Sequence, residues 1–448
     1  MLQELLHVSH SLVVFPYLYM SQECVPAFFS SLDLLATRPQ TVQRDEVLGV
    51  ALGVQGARTV SVPDHTGQRV IYVERGDLKR VYAQLFEQLT DVDGWKTHLR
   101  AYQVLLEAFR TTTQLSDLVR VGDRTAGLKA YRAWVRALEL FSDFILAPFM
   151  VERDVDPLCY ALVKQQYGQD AERVWGVIAS PSELHEFQRM RLAIVEAVIE
   201  GNCSRERAQS LADAFGWYNE YAFVEPLLDA KHFLGEMKAL SLEEARAEEE
   251  KILQDVREHR EAFEVFLATC SDATLKQLAE VVHAYTFLRT DRVDRMKEAQ
   301  VHLRRVFDMV ANALREETGV EWTREMVAAC TKDELLAYME EGTIPYEEHI
   351  RERAAQRYVY YSEGGRAHVL HSQASLDHTH ELIQAGQQQR QDIKGRPAFP
   401  GSVTGRVALV FNKTDLPKVQ QGDVLVAKTT MPDYMPAMKV AIAFVTEE

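Results

Sequence analysis

The sequence predicts a mainly α-helical protein with a small α+β unit at its N-terminal end and a short β/α unit at its C-terminal end. Three observations lead there. Residues 95–355 repeat apolar side chains every three to four positions, the period of helices with one buried face. Ahead of them lie Val-rich runs separated by turn residues, the pattern of short strands. After Lys394 the composition shifts to short apolar runs punctuated by Gly and Pro.

Taken in order, residues 1–110 form the α+β unit. VLGVALGV (47–54) and ARTVSV (57–62) predict strands, DHTGQ (64–68) a turn, and RVIYVE (69–74) the returning strand. A helix then opens at Gly76-Asp77, with Asp77 as N-cap and Leu78, Val81, Leu85 and Leu89 on one face.

Residues 111–355 form a helical domain, into which the first long helix, Trp95–Thr111, leads. Leu128–Val151, Glu183–Glu200, Arg205–Phe223, Leu242–Ala268 and Asp272–Phe287 follow, then a helix from Leu288 to Arg305. Ser180-Pro181-Ser182-Glu183 predicts a start, with Ser180 capping and Pro181 in the first turn. Glu244 to Arg260 is so charged that it predicts a long exposed helix laced by i,i+4 pairs. Phe215, Trp217, Tyr218, Tyr221 and Phe223 surround Gly216; this knot packs between helices or lines a pocket, with Glu220 and Glu225 beside it.

Residues 356–392 predict a hairpin, RYVYY against RAHVLH with Gly364-Gly365 in the turn, followed by a polar linker. His368, His371, His378 and His380 cluster there, but their spacing does not put them on one helix face, so no metal site is expected. Residues 393–448 form the last unit. Gly405–Phe411, Val424–Ala427 and Ala441–Val445 predict strands, and a short helix starts at Met431-Pro432-Asp433.

Composition bounds the function. A net charge of −16 over 448 residues argues against nucleic-acid binding, which needs a basic face to displace counterions. The five cysteines are scattered, with no CxxC pair, and predict reduced thiols rather than a disulfide framework. The N-terminus lacks a basic region, and His7, Ser9, His10, Ser11 and Pro16 interrupt its apolar run. The expectation is a cytoplasmic protein with no membrane span.

Four pieces of the C-terminal unit point further. They are Pro400-Gly401 with Gly405-Arg406-Val407, Gly422-Asp423-Val424-Leu425-Val426, Thr430 through Met438, and Ala443-Phe444-Val445-Thr446-Glu447. In this order and spacing they resemble the mobile domain of the phosphoenolpyruvate-utilising enzymes, the family of phosphoenolpyruvate synthase, pyruvate phosphate dikinase and rifampin phosphotransferase. The body, through Phe215-Gly216-Trp217 with Tyr221 and Glu225-Pro226, the helix from Leu288-Arg289 to Arg305, and Arg357-Tyr358-Val359, resembles the family's stand-alone members with a helical N-terminal part. The fold so implied ends in a truncated swivelling domain of the phosphohistidine type.

In that family a Gly-Gly turn and then a histidine follow at the start of a helix, where backbone N–H groups hold the phosphate. By this pattern the catalytic histidine lies just beyond Glu448, so the chain itself holds no catalytic residue and reads as an inactive fragment of a phosphotransferase. Thr429, Thr430, Asp433, Thr446 and Glu447 are then close to the site, although Asp433 also suits a helix cap and Thr430 a turn. Arg289, Arg292 and Arg295, at i, i+3 and i+6 with Arg304 and Arg305 further on, suit a phosphate-contacting stripe or a solvated face paired with Asp291, Asp294 and Glu298.

The resemblance implies ATP or phosphoenolpyruvate with Mg2+, yet the chain shows no Gly-rich phosphate loop. The expected partner is therefore a small phosphorylated substrate or a nucleotide-binding partner chain. The other reading is a non-catalytic helical binding or regulatory module that retains a vestigial mobile domain. Oligomeric state is open in either case.

Overall fold

A computed structural model of the chain describes residues 32–36, 58–63, 69–90, 94–120, 122–218, 226–363, 366–371, 373–387, 402–410, 413–427 and 434–446. Three strands come first: β1 (Leu32–Ala36), β2 (Thr59–Pro63) and β3 (Arg69–Glu74). The strand expected over 47–54 lies outside the described residues. Helix α1 follows directly (Arg75–Thr90) and buries Leu78, Val81, Leu85 and Leu89 as its spacing predicts. Its start corrects one expectation. Asp77 does not cap it; Glu74 accepts from the Asp77 N–H at 2.6 Å, and the Asp77 carboxylate is taken by Arg58 at 2.7 Å and Arg80 at 3.1 Å.

Helix α2 (Gly94–Asp117) buries Trp95, His98, Tyr102, Leu105, Phe109, Thr112 and Ser116. That alternation of three and four is a heptad seam, and it packs on α3 (Arg124–Met150), whose N-cap Asp123 accepts from the Ala126 N–H at 2.9 Å. Near the end of α3 sits Pro148, which has no N–H to donate, and the chain relaxes into one π-type turn at Val151–Val155 before α4 (Asp156–Tyr167). Then come α5 (Ala171–Ile178), α6 (Glu186–Ile199), α7 (Arg205–Phe215), α8 (Ala230–Ala239) and α9 (Leu242–Thr269).

Helix α6 starts later than Ser180 suggests. Ser180 turns back to the Gly176 carbonyl (2.6 Å), and the Gln188 side chain satisfies the His185 N–H at 3.0 Å, so the helix begins at Glu186. Residues 179–185 become a connection. Helix α9 is the charged helix expected: Ser241 and Glu244 cap each other, and among its side chains Ala245, Phe263 and Phe266 are buried.

The spine is α10 (Ala273–His302), which touches α1, α2, α3, α4 and α5 as well as the π turn. Two helices were expected here, meeting at Leu288. Leu288 is 3% exposed and simply continues the buried face, so one helix of 30 residues results. It breaks at Leu303 before α11 (Arg304–Thr318), which puts Arg304 and Arg305 on a different helix from Arg289. Short helices α12 (Arg324–Ala328), α13 (Lys332–Glu341) and α14 (Glu347–Ala354) close the body. One continuous apolar core runs from Val73 to Ile350, and a satellite core of Met190, Ile194, Leu211, Phe233 and Met237 joins α6, α7 and α8.

The hairpin forms as β4 (Val359–Glu363) and β5 (Arg366–Leu370), with Gly364-Gly365 outside the described residues. Its placement comes from tertiary structure: Val60 of β2 pairs with Tyr361, giving a five-stranded antiparallel sheet in the order β1-β3-β2-β4-β5. Helix α15 (Gln373–Gln387) lies against β4, and His380 meets the Pro63 carbonyl at 2.5 Å.

The last unit holds β6 (Val407–Val410), β7 (Val424–Ala427), α16 (Met435–Met438) and β8 (Ala443–Thr446). The three strands are parallel, in the order β6-β7-β8. Leu425, Ala408 and Val410 point to a small core with Val419, Tyr434 and Ala437. The opposite face is bare: Val407, Leu409 and Val445 are each more than half exposed. Gly405 is required where it stands, because a Cβ there would sit 2.5 Å from the Gly422 carbonyl oxygen. Arg406 and Asp423 form a two-pronged pair at 2.6 and 3.0 Å that ties the approach of β6 to that of β7. No described helix is long and apolar enough to cross a membrane.

Candidate functional site

Three stretches distant in sequence, α2, α10 and the 179–189 segment, enclose a cavity of about 540 Å3. Its floor is built from side chains that face across the α2–α10 seam. The Tyr102 hydroxyl donates to Asp291 at 2.7 Å, and burial, then the Asp291 charge, push that phenol far above its ordinary range. One turn along α10, Arg295 reaches Asp291 at 3.4 Å and Glu298 at 2.6 Å, and also binds Glu186 at the start of α6. Burial works against the Arg295 charge, but these three carboxylates outweigh it and hold the guanidinium protonated.

On the same helix, outside the cavity lining, Asp294 is 2% exposed. Burial pushes its carboxyl up to about 7; Lys297 acts against this, and Asp291 and Glu186 add to it.

The second polar feature of the cavity is a serine–histidine pair. Ser182 Oγ lies 2.6 Å from His283 Nε2, and His283 Nδ1 lies 3.1 Å from the Ile178 carbonyl. A carbonyl can only accept, so the ring proton sits on Nδ1 and the Nε2 lone pair accepts from the Ser182 hydroxyl. Phe263 stacks on the imidazole at 3.7 Å, with 8° between planes. Burial holds His283 below its ordinary range, the Ile178 hydrogen bond acts the other way, and His259 adds to the lowering.

No family model matches the chain. Among curated proteins it is 31% identical over 136 residues to a probable phosphoenolpyruvate synthase of Pyrococcus abyssi, covering 30% of this chain and 16% of that protein. The phosphoenolpyruvate synthase of Pyrococcus furiosus is 30% identical over 137 residues, with the same coverage of each. A probable phosphoenolpyruvate synthase of Methanocaldococcus jannaschii is 46% identical over 56 residues, 12% of this chain and 5% of that protein. The chain is related to phosphoenolpyruvate-utilising enzymes. Its match spans about one sixth of the length of the Pyrococcus proteins.

The three arginines expected to contact phosphate are all described. Steps of three residues turn about 60° around a helix, so an i, i+3, i+6 set fans out rather than forming a stripe. Arg289 pairs with Asp156 of α4 at 2.5 Å. Arg292 is 9% exposed, its guanidinium 4.8 Å from the Phe149 ring centre. Arg295 alone of the three lines the cavity, among its carboxylates.

Of the C-terminal candidates, Thr446 ends β8 opposite Ala427, the last residue of β7. Thr429, Thr430, Asp433 and Glu447 lie outside the described residues, as do Glu220, Tyr221, Phe223 and Glu225. What is described of the aromatic knot is packing. Trp217 donates to the Ala214 carbonyl at 2.8 Å, and a Cβ on Gly216 would meet the Leu228 carbonyl oxygen at 2.8 Å. His371 stacks on His349 at 4.4 Å and lies 3.1 Å from Arg353, and among the described residues no three potential metal ligands converge.

Sequence reasoning missed the cavity and the Ser182–His283 pair. The two residues are 101 positions apart, and Ser182 was read as part of a helix start. The available signal was His283 itself, a titratable group beside the apolar pair Val281-Val282 and next to Ala284.

Proposed function

We propose that the chain belongs to a phosphotransferase of the phosphoenolpyruvate-synthase kind, working in the cytoplasm, whose residues 393–448 are the leading part of a swivelling carrier domain. In this reading the phosphate rides on a histidine of that domain C-terminal to Glu448. The supporting observation is the parallel sheet β6-β7-β8. Parallel sheets are normally covered on both faces, and here the face of Val407, Leu409 and Val445 is bare, which fits a unit whose remaining layers come from additional chain.

The parallel register also suits the chemistry. It brings the ends of β7 and β8 to one edge, Ala427 beside Thr446, and α/β sheets bind ligands at that edge. Thr429, Thr430 and Asp433 follow β7 in sequence, and Glu447 follows β8; they are proposed to orient the carrier histidine and its phosphate. The donor would be ATP or phosphoenolpyruvate with Mg2+, bound by a partner chain or a further part of the protein, and the acceptor a small molecule. Of Arg289, Arg292 and Arg295, Arg295 is the one proposed to remain within reach of a phosphorylated group, since the other two are turned into the body.

The second reading, a non-catalytic helical module with a vestigial mobile domain, draws support from the arginines. Arg289 and Arg292 are committed inside the body, which leaves the proposed stripe little charge to offer. Labelling the full-length protein with radioactive phosphoenolpyruvate or ATP separates the two. Phosphotransfer predicts an acid-labile, base-stable label on a histidine beyond Glu448. No label from either donor overturns it in favour of the module.

A further inference from the structure

We propose that Ser182 is a nucleophile activated by His283, and that the cavity they share accepts a small carboxylic ester with an apolar body. This site is separate from the carrier unit and does not rest on the phosphotransfer reading.

A serine becomes a nucleophile when a neutral base accepts its proton and a third group holds that base in the right tautomer. All three parts are present. The 2.6 Å contact points the Ser182 hydroxyl at His283 Nε2, and the Ile178 carbonyl fixes the proton on Nδ1. Phe263 holds the ring plane, and burial favours the uncharged imidazole.

The connection carrying Ser182 is pinned from outside. Arg260 donates to the Ser182 carbonyl at 3.0 Å, and Arg189 donates to the Leu184 carbonyl at 3.2 Å. Such anchoring keeps the nucleophile and its base in register. An interior hydroxyl serving structure alone has no need of a cavity in front of it. Here Ser182 and His283 both line the 540 Å3 space, together with Leu99, Leu106, Phe109 and Phe287. Those four side chains suit an apolar acyl or alcohol group, and much of the rest of the wall is charged, with Glu183, Glu186, Arg189, Asp291 and Arg295 in it.

The step balances with water as co-reactant. Ser182 Oγ bonds to the ester carbonyl carbon as its proton passes to Nε2 of His283. The carbon–alkoxide bond breaks, and the leaving oxygen takes that proton. Water then adds to the acyl carbon, giving a proton to Nε2; the bond to Oγ breaks, and Oγ takes the proton back. The products are an acid, an alcohol and the original pair. A backbone carbonyl in place of a carboxylate partner stabilises the imidazolium less, so slow turnover is expected.

The test treats the chain with a fluorophosphonate probe and maps the adduct by peptide mass spectrometry. Release of p-nitrophenol from p-nitrophenyl butyrate is followed in parallel. We expect an adduct on Ser182, its absence in Ser182→Ala, and labelling slower on the order of 10²-fold in His283→Gln. Leu106→Trp, which fills the cavity, should slow ester cleavage with the helical circular dichroism unchanged. No adduct on Ser182 in the unmodified chain overturns the proposal regardless of how the variants fold. Labelling in folded His283→Gln as fast as in the parent also overturns it.

Discussion

The helical body and the C-terminal sheet handle the same materials in opposite ways. The body turns its charges inward: Arg295 is shared by three carboxylates, Arg289 is bound to Asp156, and Arg353, 4% exposed, is clamped by Glu334 at 2.5 Å. The sheet turns apolar groups outward, with Leu409 and Val445 in solvent while Leu425 is sealed on the other face. Arg295 and Arg353 of the body are paired with carboxylates of the same chain, whereas the sheet leaves apolar area exposed.

Substitutions can break that contrast. The largest effect is expected in the body. Phe307, fully buried in the main core, should cost about 3–5 kcal/mol as Phe307→Ala, read by urea unfolding of the helical signal. In the sheet, Leu425→Ala should cost about 2–5 kcal/mol of the unit's own stability, measured by hydrogen exchange of its strand amides. Gly405→Ala, which forces a Cβ against the Gly422 carbonyl, should cost about 1–3 kcal/mol by the same measurement.

Asp294 probes whether the body's inward charge is favourable throughout. Its folded-state pKa near 7 lies above the unfolded value of 3.8, so the unfolded chain releases the proton first as pH rises. Stability from this group is intact below about pH 4, falls between 4 and 7, and is lost above 7. Asp294→Asn should therefore stabilise the protein by about 1–3 kcal/mol at pH 8 and by almost nothing at pH 4. An equal gain at both pH values would show that the carboxyl is not buried as described. The smallest effect is expected from Leu409→Ala, within about 0.5 kcal/mol by the same hydrogen-exchange measurement. A cost like that of Leu425→Ala would show that the bare face is already occupied.

The sequence made the local patterns legible. The apolar repeat from Trp95 to Thr111 marks α2, and the charge of Glu244–Arg260 marks α9 as exposed. The three strands after Gly405 were readable from short apolar runs between turn residues, and their parallel pairing was not. What could not be read depends on partners far away. Whether Ser180 or His185 begins α6 turns on where the Gln188 amide reaches. The break between Asp272–Phe287 and Leu288–Arg305 disappears because Leu288 finds a core to enter. The three arginines look like a stripe in one dimension and fan out on the helix, each meeting a different neighbour. The Ser182–His283 pair exists only once α10 lies beside the connection after α5.

The pairing of β2 with β4 has a consequence for synthesis. Val60 leaves the ribosome roughly 300 residues before its partner Tyr361, an interval of about 15–60 s at ~5–20 residues per second. Throughout it, the edge of β2 that β4 will occupy has no native strand to pair with, and unpaired strand edges are the usual templates for wrong association. The nascent chain should thus depend on a chaperone until the hairpin emerges, and versions ending before Val359 should aggregate although helices α1 to α14 are all present.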